Sequence, residues 1–293
     1  MIDVNEIIQN QDYKFTDDQL KKVVKHLNKL LNYTPRIGVF GKTGVGKSSL
    51  CNTLFGSDVC PVSDVKACTR EPKDVLVKMQ GDKGISLIDV PGVGEDKERD
   101  IEYSALYQSL LPELDVILWV LKADDRAFSV DIDFYNNVVK PHIEQGKPFL
   151  IVLNQVDKIE PFREWNIEKS EPGKQQKINI KDKIINISEC FSVSKNNIVA
   201  ISSSEKYGLS TLVERMVTEL PDEKKISVVK EINDEFISDR SKRIVVRSLM
   251  KVVRDTIDGA LKGAAYGVRI AGKPGAVIGA IAGGVLGMFG ISV

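Results

Sequence analysis

Ile37-Gly38-Val39-Phe40-Gly41-Lys42-Thr43-Gly44-Val45-Gly46-Lys47-Ser48 sets the reading of the whole chain. A short apolar strand runs into the pattern G-x-x-x-x-G-K-S, and Lys47 to Leu54 continue at helical spacing. Glycines let the backbone wind round a polyphosphate with its N–H groups pointing inward. Lys47 reaches the terminal phosphates, and the Ser48 hydroxyl is a ligand type that Mg²⁺ takes. Strand, loop and helix stand in the order this chemistry needs, so Gly41 to Ser49 form the expected phosphate-binding segment.

Outward from that segment, short β-branched or apolar runs alternate with helical stretches. Strands are expected at Arg36 to Phe40, Asp74 to Met79, Ile85 to Val90, Val116 to Leu121, Phe149 to Leu153 and Ile198 to Ile201. Helices are expected at Lys47 to Leu54, Asp100 to Leu111, Val130 to Val139, Gln175 to Cys190 and Leu209 to Leu220. This alternation predicts an α/β fold with a mostly parallel six-stranded sheet covered on both faces. Asp89-Val90-Pro91-Gly92 closes one strand, where Asp89 can hold Mg²⁺ through water and the Gly92 amide can meet the terminal phosphate. Asn154-Gln155-Val156-Asp157 closes another. A carboxylate there accepts from the N1–H and 2-amino group of guanine, a donor pair adenine lacks, and Asn154 can bridge base and loop. The expected nucleotide is therefore GTP or GDP.

The 293 residues carry 41 Lys+Arg and 41 Asp+Glu, with 42% hydrophobic residues, which excludes disorder for the bulk of the chain. The four cysteines have no CxxC spacing and only two histidines are present, so no zinc cluster can be drawn. Met1 to Glu6 hold neither a basic start nor an apolar run, and a cytoplasmic protein is expected. Thr16 to Leu31 read as a capped amphipathic helix expected to pack on the domain that follows. The expected organisation is an N-terminal helical segment at 1–33, the nucleotide domain at 34–221 and a helical C-terminal region at 222–293.

The order of these motifs resembles the Era-like branch of the translation-factor class of P-loop GTPases. Ser48-Ser49-Leu50-Cys51-Asn52, Pro61-Val62-Ser63-Asp64, Leu121 to Ala127 and Asn154 to Pro161 resemble in particular the bacterial YfjP/YeeP-type GTPases. The resemblance covers about Leu30 to Leu220 and implies hydrolysis of GTP to GDP with Mg²⁺. It assigns Thr69 as the switch threonine that joins the metal beside Ser48 and Asp89. Ser202, Ser203 and Ser204 become the last guanine loop, with Ser203 cradling the base through its backbone. Lys47, Thr69, Gly92 and Glu95 become the residues serving the chemical step.

Two departures from the family pattern carry information. Gln155 stands where NKxD has lysine, from which a less rigid link is expected with guanine preference kept. Val93 follows Gly92 where small GTPases place a water-orienting glutamine, so slow intrinsic turnover is expected. Glu95 either substitutes at the spacing of the catalytic acid in tRNA-modifying relatives or is one of several acids in an exposed loop. Gly44 stands where those relatives carry a potassium-binding asparagine. Arg70 and Arg126 either supply charge to the transition state, in cis or across a homo-oligomer, or are surface residues.

Asp239 to Lys273 hold nine basic and three acidic residues, leaving 32 basic and 38 acidic residues in the first 238. Neutrality is thus a cancellation between an acidic domain and a basic segment. No charge follows Lys273, and Gly275, Gly279, Gly283 and Gly287 recur every four residues, a spacing that lets helices approach closely. Residues 239–293 therefore read either as a membrane contact at the inner face of a bilayer or as a helical pair packed on the protein. A nucleotide-controlled membrane scaffold and an RNA- or ribosome-directed GTPase are the rival functions. The second lacks aromatic stacking platforms in the basic segment beyond Tyr266.

Overall fold

The computed structural model describes residues 17–56, 73–77, 85–89 and 107–262, together with Gly283 and Gly287. Six strands form one sheet: β1 (Arg36–Phe40), β2 (Lys73–Val77), β3 (Ile85–Asp89), β4 (Val116–Lys122), β5 (Phe149–Asn154) and β6 (Ile198–Ala200). Their spatial order is β2-β3-β1-β4-β5-β6, with β2 antiparallel to β3 and every other pair parallel. All of β5 and nearly all of β4 is buried, as expected for strands covered on both faces.

The helices that accompany the sheet are α2 (Lys47–Phe55), α3 (Ser129–Phe134), α4 (Lys140–Glu144), α5 (Lys174–Phe191) and α6 (Leu209–Glu219). Between α3 and α4 the helix widens into a π turn over Tyr135–Val139, so the helix expected at Val130 to Val139 is longer and less regular than its pattern suggests. Only the end of the helix expected from Asp100 lies among the described residues, where 107–110 are helical. One face of the sheet buries Phe40 and Trp119, stacked with ring centroids 6.1 Å apart, and Phe134 meets Tyr107 edge to face at 4.6 Å. These rings hold α3 against β1 and β4, and α3 carries a residue that reaches the glycine loop.

The described residues fall into two compact units. The sheet unit is Pro35–Leu220 together with Glu231–Ile237. That short return differs from the expected boundary at 221, and its cause is local. Ile232 and Phe236 are buried, Asn233 N–H donates to the Leu54 carbonyl at 2.8 Å, and Lys206 pairs with Glu235 at 2.9 Å.

The other unit holds α1 (Asp17–Leu31), α7 (Asp222–Val229) and α8 (Asp239–Lys262). Within this unit the N-terminal helix packs with α7 and α8. Its last turn explains the choice, since helix-end carbonyls have no partner within their own helix. Ser227 Oγ donates to Leu30 O at 2.9 Å and Lys230 Nζ to Leu31 O at 3.1 Å. Asp222, at the start of α7 where a negative charge suits the helix dipole, accepts from Ser248 Oγ at 2.7 Å and Lys251 Nζ at 2.8 Å.

The hydrogen bonds from Lys251 and Ser248 hold the Asp222 carboxyl down at about 2, against an ordinary 3.8. A depressed carboxylate adds stability that is complete above 3.8 and disappears as pH falls towards about 2. Asp222→Asn should therefore lower the denaturation midpoint of this unit at neutral pH, with the gap to the unmodified protein closing across that acid window. A gap that stays constant through the window would show that Asp222 is not the responsible group.

Candidate nucleotide site

Parallel pairing places the C-terminal ends of β1, β4 and β5 along one edge, with Phe40 opposite Trp119 and Lys122 opposite Asn154. The glycine loop leaves β1 at this edge. Gly41 has φ +139°, and a Cβ there would run into the Val120 carbonyl oxygen. Gly46, at φ +92°, lies so close to the Asn154 side chain that a Cβ would collide with its amide nitrogen. Both positions thus require glycine for conformation and for space. The loop ends in α2, whose start has neither a capping side chain nor an acidic residue in its first turn. Its positive end is left for an anion. Lys47 Nζ donates to the carbonyls of Gly41 at 2.9 Å and Lys42 at 3.1 Å, which holds the ammonium across the loop beside Ser48.

Asn154 is the junction of the site. Its side chain is buried, and Nδ2 donates to Val45 O at 3.0 Å and Gly46 O at 3.5 Å. Its Oδ1 accepts from Gln155 N at 2.9 Å and from both Ser203 N and Ser203 Oγ at 3.1 Å. One amide therefore binds the glycine loop, its own loop and the last loop together. The N–H of Ser203, the residue whose backbone the resemblance sets against the base, donates to Asn154. Ser202 Oγ lies 3.1 Å from Ser204 Oγ and accepts from Glu205 N, which closes the turn of that loop.

Asp157 lies in the one-turn 3-10 helix Val156–Lys158, and its Oδ1 is buried with no hydrogen-bond partner in the protein. A buried carboxylate oxygen is costly unless a donor meets it, and guanine offers two. The backbone of this turn is braced by Gln176, a fully buried residue of α5 whose Nε2 donates to Ile159 O at 2.9 Å and Asp157 O at 3.3 Å. Gln176 escaped the sequence reading. Its only local signal is its place three residues after Gly173, whose N–H it accepts at 3.0 Å.

A second brace was equally hidden. Lys42, inside the glycine loop, makes an ion pair of 2.7 Å with the buried Asp131 of α3 and donates to Ala127 O at 3.3 Å. Burial pushes the Asp131 carboxyl above its ordinary range, and the Lys42 ammonium opposes that rise. Lys183 donates to the Asp125 carbonyl in the same loop, and burial lowers its pKa against the pull of Asp125 and Asp124. Arg126 is exposed in this loop.

The structure thus brings together Gly41 to Ser49, Asn154, Gln155, Asp157 and Ser202 to Ser204. Asp89 closes β3 opposite Val39 of β1, on the strand that leads into the loop. Thr69, Arg70, Gly92, Val93 and Glu95 lie outside the described residues.

A strand, a glycine-rich loop, a helix and an Asn–Asp pair at the end of β5, two strands away along the same edge, define a GTP-binding P-loop domain. The family model of 50S ribosome-binding GTPases matches residues 36–155. YkfA of Escherichia coli (strain K12) is 44% identical over 74% of this chain and 72% of its own length, and YfjP of the same strain is 43% identical with the same coverage. The crystal structure of a variant of Aquifex aeolicus Era bound to GDP.AlF4- is 26% identical with a TM-score of 0.48, covering 68% of this chain and 66% of that one. The chain belongs to the family of Era-like GTPases that contains YkfA and YfjP.

Asn154→Ala would strand the Ser203 N–H and the Val45 carbonyl. Leaving buried polar groups unpaired costs about 1–3 kcal/mol each, so a loss of about 2 kcal/mol or more is expected in urea unfolding without nucleotide. An unchanged unfolding midpoint would mean that Asn154 does not hold the loops together.

Proposed function

We propose that the protein is a slow GTP-driven switch that hydrolyses GTP to GDP and phosphate. The observation that carries this reading is the buried Asp157 Oδ1, an unpartnered acceptor beside loops that Asn154 locks to the phosphate-binding segment. Lys47 would leave the Gly41 and Lys42 carbonyls for the β- and γ-phosphates. The start of α2 and the loop N–H groups would stabilise charge that develops on the transferred phosphoryl group. Ser48, with Asp89 and Thr69, would hold Mg²⁺, which supplies charge neutralisation between the phosphates. Val93 offers no group to orient water, so turnover is slow unless Glu95 or a partner provides one. Lys47→Ala should reduce GTP hydrolysis about 100-fold or more, and undiminished hydrolysis would sink the mechanism.

A specific observation favours a partner for the helical unit. Lys21, Lys25 and Lys29 of α1 and Arg243, Arg247 and Arg254 of α8 are exposed on helices that pack together, so the basic character extends beyond the C-terminal segment. We infer an anionic membrane surface as that partner, engaged peripherally and with the uncharged glycine-rich stretch after Lys273 adding apolar contact. No helix among the described residues is long and apolar enough to cross a membrane. The protein should sediment with phosphatidylglycerol vesicles but not phosphatidylcholine vesicles, and replacing Arg243, Arg247 and Arg254 with serine should abolish this. Sedimentation unaffected by the replacements, or salt-sensitive RNA binding in its place, would overturn the membrane reading.

A further inference from the structure

The resemblance leaves one chemical gap at the site: the lysine of NKxD is Gln155. The geometry points to a two-residue replacement, in which Gln155 makes the link to the glycine loop and Lys158 supplies the missing positive charge by holding the Gln155 amide in its donating orientation. Neither residue does this alone. Gln155 Nε2 donates to the Gly44 carbonyl at 3.0 Å, and Lys158 Nζ donates to Gln155 Oε1 at 2.8 Å. The result is a chain of polar contacts from the guanine loop to the phosphate loop.

The local backbone explains why these residues meet. Gln155 sits in the left-handed region at φ +64° and caps the 3-10 helix Val156–Lys158, closed by Lys158 N–H donating to Gln155 O at 3.0 Å. The turn closed by that bond brings the Lys158 ammonium within reach of the Gln155 amide. The amide orientation follows from charge. Only Oε1 can accept from an ammonium, and with Oε1 turned to Lys158 the NH₂ must face Gly44 O. Rotated the other way, the amide would set its NH₂ against the ammonium and its oxygen against a carbonyl. Gly44 adopts the left-handed backbone at φ +81° that glycine favours. Asn154, one residue earlier, grips Val45 and Gly46 from the buried side, so Gln155 extends the clamp to the exposed lip of the loop.

Gln155 and Lys158 are positioning residues. They hold the phosphate loop and the guanine loop at one spacing, which a nucleotide must match at both ends. The inference rests on guanine-nucleotide binding at these loops.

The test uses the full chain and stopped-flow release of fluorescent GDP and of a GTP analogue. One neutral hydrogen bond at a partly exposed site is worth about a 5- to 10-fold change in equilibrium. Gln155→Ala should speed release by about that factor. Lys158→Met should produce a smaller increase, and the double variant should equal Gln155→Ala alone, because Lys158 acts only through the amide. Gln155→Lys combined with Lys158→Met should restore slow release, whereas Gln155→Glu, which keeps the pairing with Lys158 but has no donor for Gly44, should not. The unfolding midpoint without nucleotide should fall less than it does for Asn154→Ala, since Gln155 is only partly buried and Lys158 is exposed. Additive effects in the double variant, or wild-type release from Lys158→Met, would overturn the relay. Failure of the underlying reading is distinguishable, because the unmodified protein would then fail to bind guanine nucleotide at all.

Discussion

The site depends on one buried amide. Asn154 donates from its NH₂ to two carbonyls of the glycine loop and accepts at its oxygen from three donors, so three loops from distant parts of the chain share a single side chain. Partners left without it would be buried and unpaired, and that cost makes the arrangement nearly all-or-none. The glycine loop is bent for phosphate by its own backbone, but its distance from the guanine loop is set by Asn154. Gln155 and Lys158 add to the exposed side of the clamp what Asn154 supplies to the buried side.

Asn154 can act in this way because the sheet is parallel. Parallel strands deliver their C-terminal ends to one edge, and the β4–β5 register places Lys122 opposite Asn154 while β1 ends beside β4 at Phe40. Side chains outside the loops then brace them: Lys42 against Asp131 in α3, Gln176 from α5 beneath Asp157, and the short return of Glu231–Ile237 against Leu54 and Lys206. The last of these makes a segment beyond the sheet part of the nucleotide unit. A cut after Pro221 would therefore remove buried Ile232 and Phe236 as well as the helices.

Much of this was legible in the chain. The glycine loop could be read because Gly41, Gly44 and Gly46 are needed at fixed spacing for backbone reasons, and β4 and β5 because runs buried on both faces leave apolar blocks bounded by turns. The Asn and Asp of the guanine loop were visible from their place at a strand end. Asp131 was not, since an aspartate in an amphipathic helix normally reads as solvated, and nothing nearby announces a lysine 89 positions earlier. The contacts of α1 with α7 and α8 had no local signal either. Its apolar stripe shows that it packs, and only the carbonyls met by Ser227 and Lys230 show where.

The amino-acid sequence by itself thus determined the fold class, the phosphate loop and the GTPase family, because each rests on residues that act with near neighbours. Tertiary structure alone decided how the loops are coupled. The Asn154 contacts to Val45 and Ser203 span 109 and 49 residues. A hydrogen bond of that reach has no local signature, since either partner would look the same whether or not the other were present. Its existence depends on strand order and register, which bring the ends of β1, β5 and β6 to a single edge.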